Sequence, residues 1–434
     1  MEEYVTSLRI TGNADQPLTV KVVETEEAFD SLETKWDDLV SKSDCTIYQT
    51  FEWQRTWWKY FGRGKRLHTL VFTQGDEVIG IAPMHLEKLR IMGVPLAFAL
   101  KASGSEESDY IDILALPGER ARVLRSFVEY MRTSELRYDF FEIRDVSETF
   151  RTLQLLPQYF GDAGFSVYTY RGSVCPQVGL PPAWPDFLQR LGGNLRYQLK
   201  KKTDRLKRNF PTEIELTGND DNEVDAAVRR FAVIHGKRWE SLGYINAFKN
   251  DHFLAFHIEA SQKFARRGWL RMFFLKVDGE YVAVNFDFNF HRRIYFYHGN
   301  AHASEEVMRY SPGFILRCAA IERGIAEGME TYDMLRGNEA YKTNDFKCVP
   351  VGNWQIRAVP PGRSRHIRYR TFVVYEMLRK IPKRLRREGR DFRRFMKVKN
   401  PSFPMLVKFA GEKLKDVVEL LRSQILTFRS RSKE

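Results

Sequence analysis

The sequence has few cysteines and no long apolar run. Its four cysteines, Cys45, Cys175, Cys318 and Cys348, lie far apart, with no C-x-x-C pair and no spacing typical of a zinc site. The first residues, which are mixed polar and acidic, lack the basic start and apolar core of a signal peptide. No apolar stretch of about 18 residues is present, so no membrane-spanning helix is predicted. We therefore expect a cytoplasmic protein without a metal site.

A net positive charge is lacking outside the C-terminal region. The 434-residue chain has a formal net charge of +13, but residues 363–434 hold 22 Lys and Arg against 7 Asp and Glu. The remaining residues hold 47 basic and 49 acidic side chains, so a nucleic-acid-binding body is not indicated. The length and the 43% hydrophobic content predict two globular domains with a basic appendage.

Strand and helix patterns alternate along the chain, which predicts mixed α/β layers. The aromatic segment 48–62 fits either a ligand-stacking platform or a helix packed under a sheet, and we expect the helix because aromatic side chains dominate core burial. Prolines at 181, 182 and 185 mark a boundary between two halves.

The two halves share a weak internal repeat. GDEVIGIAPM at 75–84 resembles DGEYVAVNFDF at 278–288, and YDFFEIRD at 138–145 resembles YDMLRGNE at 332–339. We interpret this as a duplication. The predicted organisation is an N-terminal segment (1–17), a first domain (18–180), a second domain (181–360) and a basic helical tail (361–434).

Polar residues of the second half form the candidate site. A helix is predicted to begin at Ser311-Pro312-Gly313, with Ser311 as its cap. The polar loop after the next strand fits a salt-bridge network or a substrate contact, and we favour substrate contact. The helix carrying His235 offers a base or a structural histidine. Asn285 and Asp287 lie on a strand, facing either a cleft or an exposed edge.

The order and spacing of several motifs resemble the CelD/BioF2-like acyltransferases, which are tandem GNAT-fold proteins related to the FemAB peptidyltransferases. The motifs are FEWQRTWWKYFG (51–62), LRYQLKKKTDRLKR (195–208), H-x-x-R-W (235–239), S-P-G (311–313), YDMLRGNE (332–339) and Y-K (341–342). The resemblance implies an α/β (α+β) fold with two GNAT-like domains, each with a twisted mixed sheet that splays where two central strands part. An acyl donor would bind in the splay, with an amine acceptor beside it.

The resemblance also implies roles for individual residues. The candidate catalytic residues are Asp333, Glu339, Tyr341 and Lys342. The candidate donor-binding residues are Arg309, Ser311, Gly313 and Phe314. The candidate substrate-binding residues are His235, Arg238, Trp239, Asn285, Asp287 and Arg336. Pro312 lacks a backbone donor and Gly313 is the only glycine of the expected phosphate loop, so both acyl-CoA and aminoacyl-tRNA stay open as donors.

The function that we expect is acyl transfer to an amine or hydroxyl of an envelope or exopolysaccharide precursor. A FemAB-like transferase that uses aminoacyl-tRNA and a non-catalytic scaffold with the same fold are the alternatives. The tail interleaves basic and apolar residues, and 406–428 repeats apolar residues at intervals of three or four. It fits an anionic membrane surface, a nucleic acid or the protein's own body, and we favour the inner face of a membrane.

Overall fold

The first half of the chain contributes strands to two sheets. The structure, a computed structural model, describes residues 7–10, 18–91, 93–105, 107–337, 342 and 346–379. The strands of this half are β1 (Ser7–Ile10), β2 (Leu18–Val23), β3 (Lys65–Leu67), β4 (Thr69–Gln74), β5 (Glu77–Ala82), β6 (Met84–Ile91), β7 (Val94–Ala102), β8 (Leu114–Ala115), β9 (Phe140–Ser147) and β10 (Ser166–Gly179). Its α-helices are α1 (Glu26–Asp30), α2 (Glu33–Lys42), α3 (Phe51–Phe61), α4 (Arg120–Thr133) and α5 (Thr152–Asp162).

The second half begins with helices and then forms a run of antiparallel strands. Its helices are α6 (Trp184–Arg190), α7 (Gly193–Asn209), α8 (Asp221–Ser241), α9 (Asp251–Arg266), α10 (Glu305–Met308) and α11 (Pro312–Ala326), and residues 363–379 form α12. Its strands are β11 (Thr212–Leu216), β12 (Leu270–Val277), β13 (Glu280–Phe290), β14 (Arg293–Ala301), β15 (Thr331–Asp333) and β16 (Val349–Val359). The mixed α/β architecture predicted from the sequence is confirmed.

The halves are interleaved in one sheet. The strand order is β11-β12-β13-β14-β15-β10-β16-β9-β7-β6-β3, and a smaller sheet has the order β1-β2-β4-β5-β8. β16 comes from the end of the second half but pairs with β10 and β9 of the first. Among the described residues, those within 7–90 and 97–366 form one compact unit, and those within 91–96 and 367–379 form another.

Each half contains one parallel strand pair whose connection includes a helix. β7 pairs with β9 and is connected to it through α4, and β14 pairs with β15 through α11. The other strand pairs described are antiparallel. This recurrence of one unusual pairing in both halves agrees with the tandem GNAT-like fold expected from the sequence.

The aromatic helix α3 is part of the core. Trp53 and Trp57 are buried, and the Trp53 ring packs on Phe256 and Phe264 of α9, with centroids 5.2 and 6.0 Å away. Thr50 caps the helix by accepting a hydrogen bond from the Trp53 backbone N–H. The prediction of a core helix is confirmed, and α3 joins the two halves through its aromatic face.

Helix α11 begins at Pro312, as predicted, but Ser311 does not cap it with its side chain. Ser311 has a left-handed backbone (φ 56°), and its hydroxyl accepts a hydrogen bond from Lys202 Nζ at 2.8 Å. The prediction of a Ser311 side-chain cap is therefore wrong. The Ser311 hydroxyl accepts from Lys202 of the basic helix α7 and not from a backbone N–H of α11. Gly328, at φ 77°, follows the end of the helix.

Candidate functional site

A wedge opens between β14 and β15. The two strands pair only from Arg293–Tyr295 to Thr331–Asp333. Beyond this point the chain after β15 follows β10, because the Met334 N–H donates to the Pro176 carbonyl at 2.9 Å and the Gly337 N–H to the Val174 carbonyl at 3.2 Å. β14 instead stays with β13 as far as Ala301. The divergence leaves one edge of β14 facing a cleft.

The cleft has a volume of about 320 Å³ and is lined from four places in the chain. β14 supplies Phe296, Tyr297, His298, Gly299 and Asn300, the chain after β15 supplies Met334, Leu335, Arg336 and Lys342, α8 supplies His235 and Trp239, and a loop of the first half supplies Glu107 and Asp109. Four of the residues predicted from the sequence, His235, Trp239, Arg336 and Lys342, are therefore brought together.

β14 carries a bulge at the wedge. Phe286 of β13 pairs with His298, whereas the next residue, Asp287, pairs with Phe296, so Tyr297 is the extra residue. The Tyr297 hydroxyl lies 3.0 Å from Nε2 of His257 on α9. Bulges are frequent beside active sites because they redirect side chains and interrupt strand pairing.

Histidine side chains surround the bulge. His235 and His298 line the cleft with ring centroids 6.0 Å apart, and His257 lies behind them. Burial lowers the pKa of His235 to about 4, although the Asn246 side chain opposes the shift. Burial, together with the neighbouring His257 and His235, holds the pKa of His298 well below its ordinary range. The imidazoles are therefore neutral at pH 7 and can accept a proton.

Arg336 connects the cleft to the first half. Its guanidinium donates to the Asp109 carboxylate and to the Ser108 carbonyl, and it lies 3.7 Å from Asp145. Burial raises the pKa of Asp145 to about 6 against the opposing effect of Arg336. Lys342 Nζ donates to the Arg336 carbonyl at 2.7 Å. These contacts fix the segment after β15 in place, so the salt-bridge network that the sequence left open as the alternative to substrate contact is present in the cleft.

Asp333 lies at the end of β15 and is fully buried rather than exposed to the cleft. Its Oδ2 accepts hydrogen bonds from Tyr110 at 2.8 Å, Gln177 at 2.9 Å and Arg293 at 3.2 Å, and its Oδ1 accepts from the Leu335 N–H. Burial raises its pKa to about 6, while Arg293 opposes the shift. Because both carboxylate oxygens already accept hydrogen bonds, Asp333 holds together the segments at the closed end of the wedge.

Asn285 and Asp287 are buried inside the sheet. β13 lies between β12 and β14, so an exposed edge does not explain these polar residues. Asn285 Nδ2 donates to Asp287 at 2.7 Å and lies 3.3 Å from the Tyr332 hydroxyl. Burial holds the pKa of Asp287 well above its ordinary value, opposed by Arg317. Neither residue is among those lining the cleft.

The four residues predicted to bind the donor lie at the start of α11, next to the end of β14. A Cβ placed on Gly313 would be 3.4 Å from the Ala301 side chain. The Phe314 and Ile315 N–H groups both donate to the Ser311 carbonyl, at 2.9 and 3.2 Å. Arg309 follows α10 directly. This turn therefore uses most of its own backbone donors.

Three other predicted residues, Arg238, Glu339 and Tyr341, are not among the described residues that line the cleft. Arg238 precedes Trp239 on α8 but does not line the cleft. Glu339 and Tyr341 lie outside the described residues.

Sequence reasoning missed His298, Glu107 and Asp109, which line the cleft. The sequences IYFYHGN and GSEESD nevertheless carry a signal: a histidine beside a glycine at a strand end, and a small-residue acidic loop.

Metal-binding clusters and membrane-spanning helices are both absent from the described residues. No group of three or more His, Cys, Asp or Glu side chains there is arranged to hold a metal ion. No helix in the same part of the chain combines the length and the apolar character needed to cross a bilayer.

Comparison with known proteins gives a domain family for residues 193–343 and a fold. Residues 193–343 match the acetyltransferase (GNAT) domain family. The structure is similar to FemX, with a TM-score of 0.56 and 12% identity over 74% of this chain and 95% of FemX. A conserved protein of unknown function from Bacteroides thetaiotaomicron has a TM-score of 0.48 and 13% identity over 78% of this chain and 99% of its own. A tandem GNAT protein from the clavulanic acid biosynthesis pathway has a TM-score of 0.42 and 11% identity over 80% and 99%. No curated protein sequence matches the chain.

Proposed function

From the premise that this chain is an acyltransferase with a GNAT-type domain over residues 193–343, we propose that it transfers an acyl group from acyl-CoA to an amine or hydroxyl acceptor in the wedge. The observation that carries the proposal is the divergence of β14 and β15. β14 pairs with β15 along one edge, and on that edge its residues after Tyr295 have no strand partner in the described part of the chain. Its backbone N–H groups there are available to a thioester carbonyl, where negative charge develops during attack.

The proposed reaction needs a route for one proton. The acceptor nitrogen or oxygen bonds to the thioester carbon, the C–S bond breaks, and the departing thiolate takes up a proton. Neutral His235 and His298 lie where the acceptor would lose its proton. Because the pKa of His235 is about 4, its imidazole holds a proton only briefly. We therefore assign it the role of a relay to solvent.

The proposed acceptor is an amine or hydroxyl of an envelope or exopolysaccharide precursor. Trp239 supports this class, because its ring is 37% exposed and lines the cleft, where it offers a flat apolar face to a sugar ring. The acidic Glu107 on the opposite loop suits an acceptor that arrives as an ammonium ion.

Calorimetry with acetyl-CoA and longer acyl-CoA species, followed by mass spectrometry of products from a panel of amino sugars, tests the proposal. Asn300→Trp fills the wedge and is expected to abolish donor binding. Val233→Trp, on an exposed position of α8, is the matched control and should bind like the wild type. Absence of acyl-CoA binding in the wild type, or equal binding by Asn300→Trp, would contradict it.

Aminoacyl-tRNA is the second candidate donor. One observation favours it: Pro312 has no N–H, and the Phe314 and Ile315 N–H groups donate to the Ser311 carbonyl, so the start of α11 offers few backbone donors to a pyrophosphate. Nearby α7 carries a run of lysines and arginines that fits an extended polyanion instead. Salt-sensitive binding of charged tRNA, without binding of acyl-CoA, would support this donor.

The proposed location is the cytoplasmic face of a membrane, with α12 as the contact. Ile367, Val374 and Leu378 are 55, 46 and 60% exposed, and their spacing places them on one face of the helix. Arg368, Arg370 and Arg379 flank that face. An exposed apolar stripe bordered by arginines suits an anionic lipid surface. The predicted amphipathic segment 406–428 lies outside the described residues.

A further inference from the structure

A second cavity, of about 780 Å³, lies on a different part of the second half from the wedge. It is bounded by α6, α7, β11, Leu275 and one side of α11. No residue lines both this cavity and the wedge. Its volume lies in the range of pockets that bind small ligands, which is about 300–1,000 Å³.

The cavity exists because α7 packs loosely. Of the 17 residues of α7, only Leu206 is fully buried. Opposite it, Leu275, Ile315, Cys318 and Ala319 form an apolar wall. The wall follows α11 from Ile315 to Glu322, a length of about 10 Å. An elongated apolar space of this kind suits an alkyl chain.

The α7 side of the cavity is cationic. Arg196, Lys200 and Lys207 all line it and fall within about 40° of one another around the helix. None of the three has an ion-pair partner within the part of the chain that the structure describes. Among the acidic groups of the lining, Asp204 lies at the margin of this stripe. Glu322 on α11 is also acidic, and Glu213 lies 3.6 Å from Lys276, so three cations face two remaining acids.

We propose that this groove binds a single-chain anionic amphiphile of the fatty-acid type. The alkyl chain lies along the α11 wall, where its burial is favourable, and the anionic head group lies under the cations of α7. The occupant completes the packing of α7, which also holds Lys202 against Ser311 at the start of α11. The proposal does not depend on the donor or the acceptor of the transfer reaction, because the two sites share no residue.

Calorimetry of the full chain with dodecanoate, below its micelle concentration, tests the groove. We expect saturable binding that weakens at high salt. Dodecyltrimethylammonium, with the same chain and the opposite charge, should bind at least tenfold more weakly. Ala319→Trp, which fills the groove, should abolish dodecanoate binding, and the charge reversal Lys200→Glu with Lys207→Glu should weaken it at least tenfold.

Asn300→Trp, in the wedge, is the control and should bind dodecanoate like the wild type. Circular dichroism and melting temperature verify that each variant is folded, and the charge-reversal variant, which changes only exposed or half-exposed residues, serves if Ala319→Trp does not fold. Absence of dodecanoate binding, equal binding of the cationic chain, or a loss caused equally by Asn300→Trp would overturn the proposal.

Discussion

Arg336 donates from its guanidinium to the Asp109 carboxylate, so an ion pair joins the end of β15 to a loop 227 positions earlier in the chain. Arg336→Ala removes this pair and the contact with the Ser108 carbonyl, and the segment that forms one wall of the wedge loses its support. We expect the rate of transfer to fall about 100-fold or more, because small misplacements of catalytic groups cost about that much. The variant should stay folded at the assay temperature because the Arg336 side chain is 44% exposed, although its melting temperature should fall since the buried Asp109 carboxylate loses its partner. Arg238→Ala, outside the cleft, is the control. Wild-type turnover by a folded Arg336→Ala variant would show that the pair is dispensable.

Lys342 is the second residue whose removal should abolish transfer without unfolding the protein. It is 5% exposed and donates to the Arg336 carbonyl while lining the cleft. Lys342→Ala removes a positive charge that would face a phosphate or carboxylate of a ligand. Lys342→Met keeps most of the volume but removes the charge and the hydrogen bond to the Arg336 carbonyl, so it should be equally inactive. Steady-state kinetics and thermal melting of both variants provide the measurement. An active Lys342→Met variant would limit Lys342 to a packing role.

The Asp333 carboxylate should contribute more to stability than to chemistry. Asp333→Ala leaves Arg293 without its buried carboxylate and Tyr110 and Gln177 without their acceptor, which should cost about 3–5 kcal/mol of unfolding free energy. Asp333→Asn keeps an acceptor oxygen and should cost less. The transfer rate of folded Asp333→Asn should stay within about tenfold of the wild type. A loss near that of Arg336→Ala at unchanged stability would restore Asp333 as a catalytic base.

The sequence was sufficient to predict elements whose signals are local. The aromatic face of α3, the start of α11 at Pro312 and the recurring strand motifs depend on residues a few positions apart, and each has its counterpart in the structure. His235, Trp239, Arg336 and Lys342, which the sequence analysis selects as candidate site residues, line one cleft. Their assigned roles stay predictions.

Other features depend on sheet order and could not be predicted from the sequence. The sequence places Asp333 in a polar loop. In the structure it is surrounded by Tyr110, in the loop before β8, and by Gln177 of β10, which lie 223 and 156 positions away in the sequence. Asn285 and Asp287 are buried because β13 has a strand on each side. Ser311 carries a sequence signal for a cap, yet Lys202, 109 positions earlier, occupies its hydroxyl. Each difference comes from a partner distant in sequence.

Acid should weaken the protein partly through His257. Burial lowers the pKa of His257 to about 4, whereas the ordinary value is 6.5. Between these values the unfolded state binds more protons, so the contribution of His257 to stability is complete above pH 6.5 and is lost as the pH falls toward 4. The shift corresponds to about 3 kcal/mol. In urea unfolding at pH 7, 5.5 and 4.5, His257→Gln should lose less free energy than the wild type. His302→Gln is the control, and parallel curves for wild type and His257→Gln would contradict the assignment.

The apolar stripe of α12 should determine binding to anionic membranes. Replacing Ile367, Val374 and Leu378 by Gln removes three exposed apolar side chains and leaves the arginines unchanged. If the stripe enters the interface, this triple variant should lose most of its binding to liposomes containing phosphatidylglycerol, even at low salt, where each basic residue contributes about 1 kcal/mol. Val233→Gln with Ile245→Gln, two exposed apolar positions elsewhere, should bind like the wild type. Loss of binding by this second variant alone would place the membrane contact at the α8 end of the cleft. Unchanged binding by the triple variant would mean that electrostatic attraction to the basic tail is sufficient and that the stripe serves another partner.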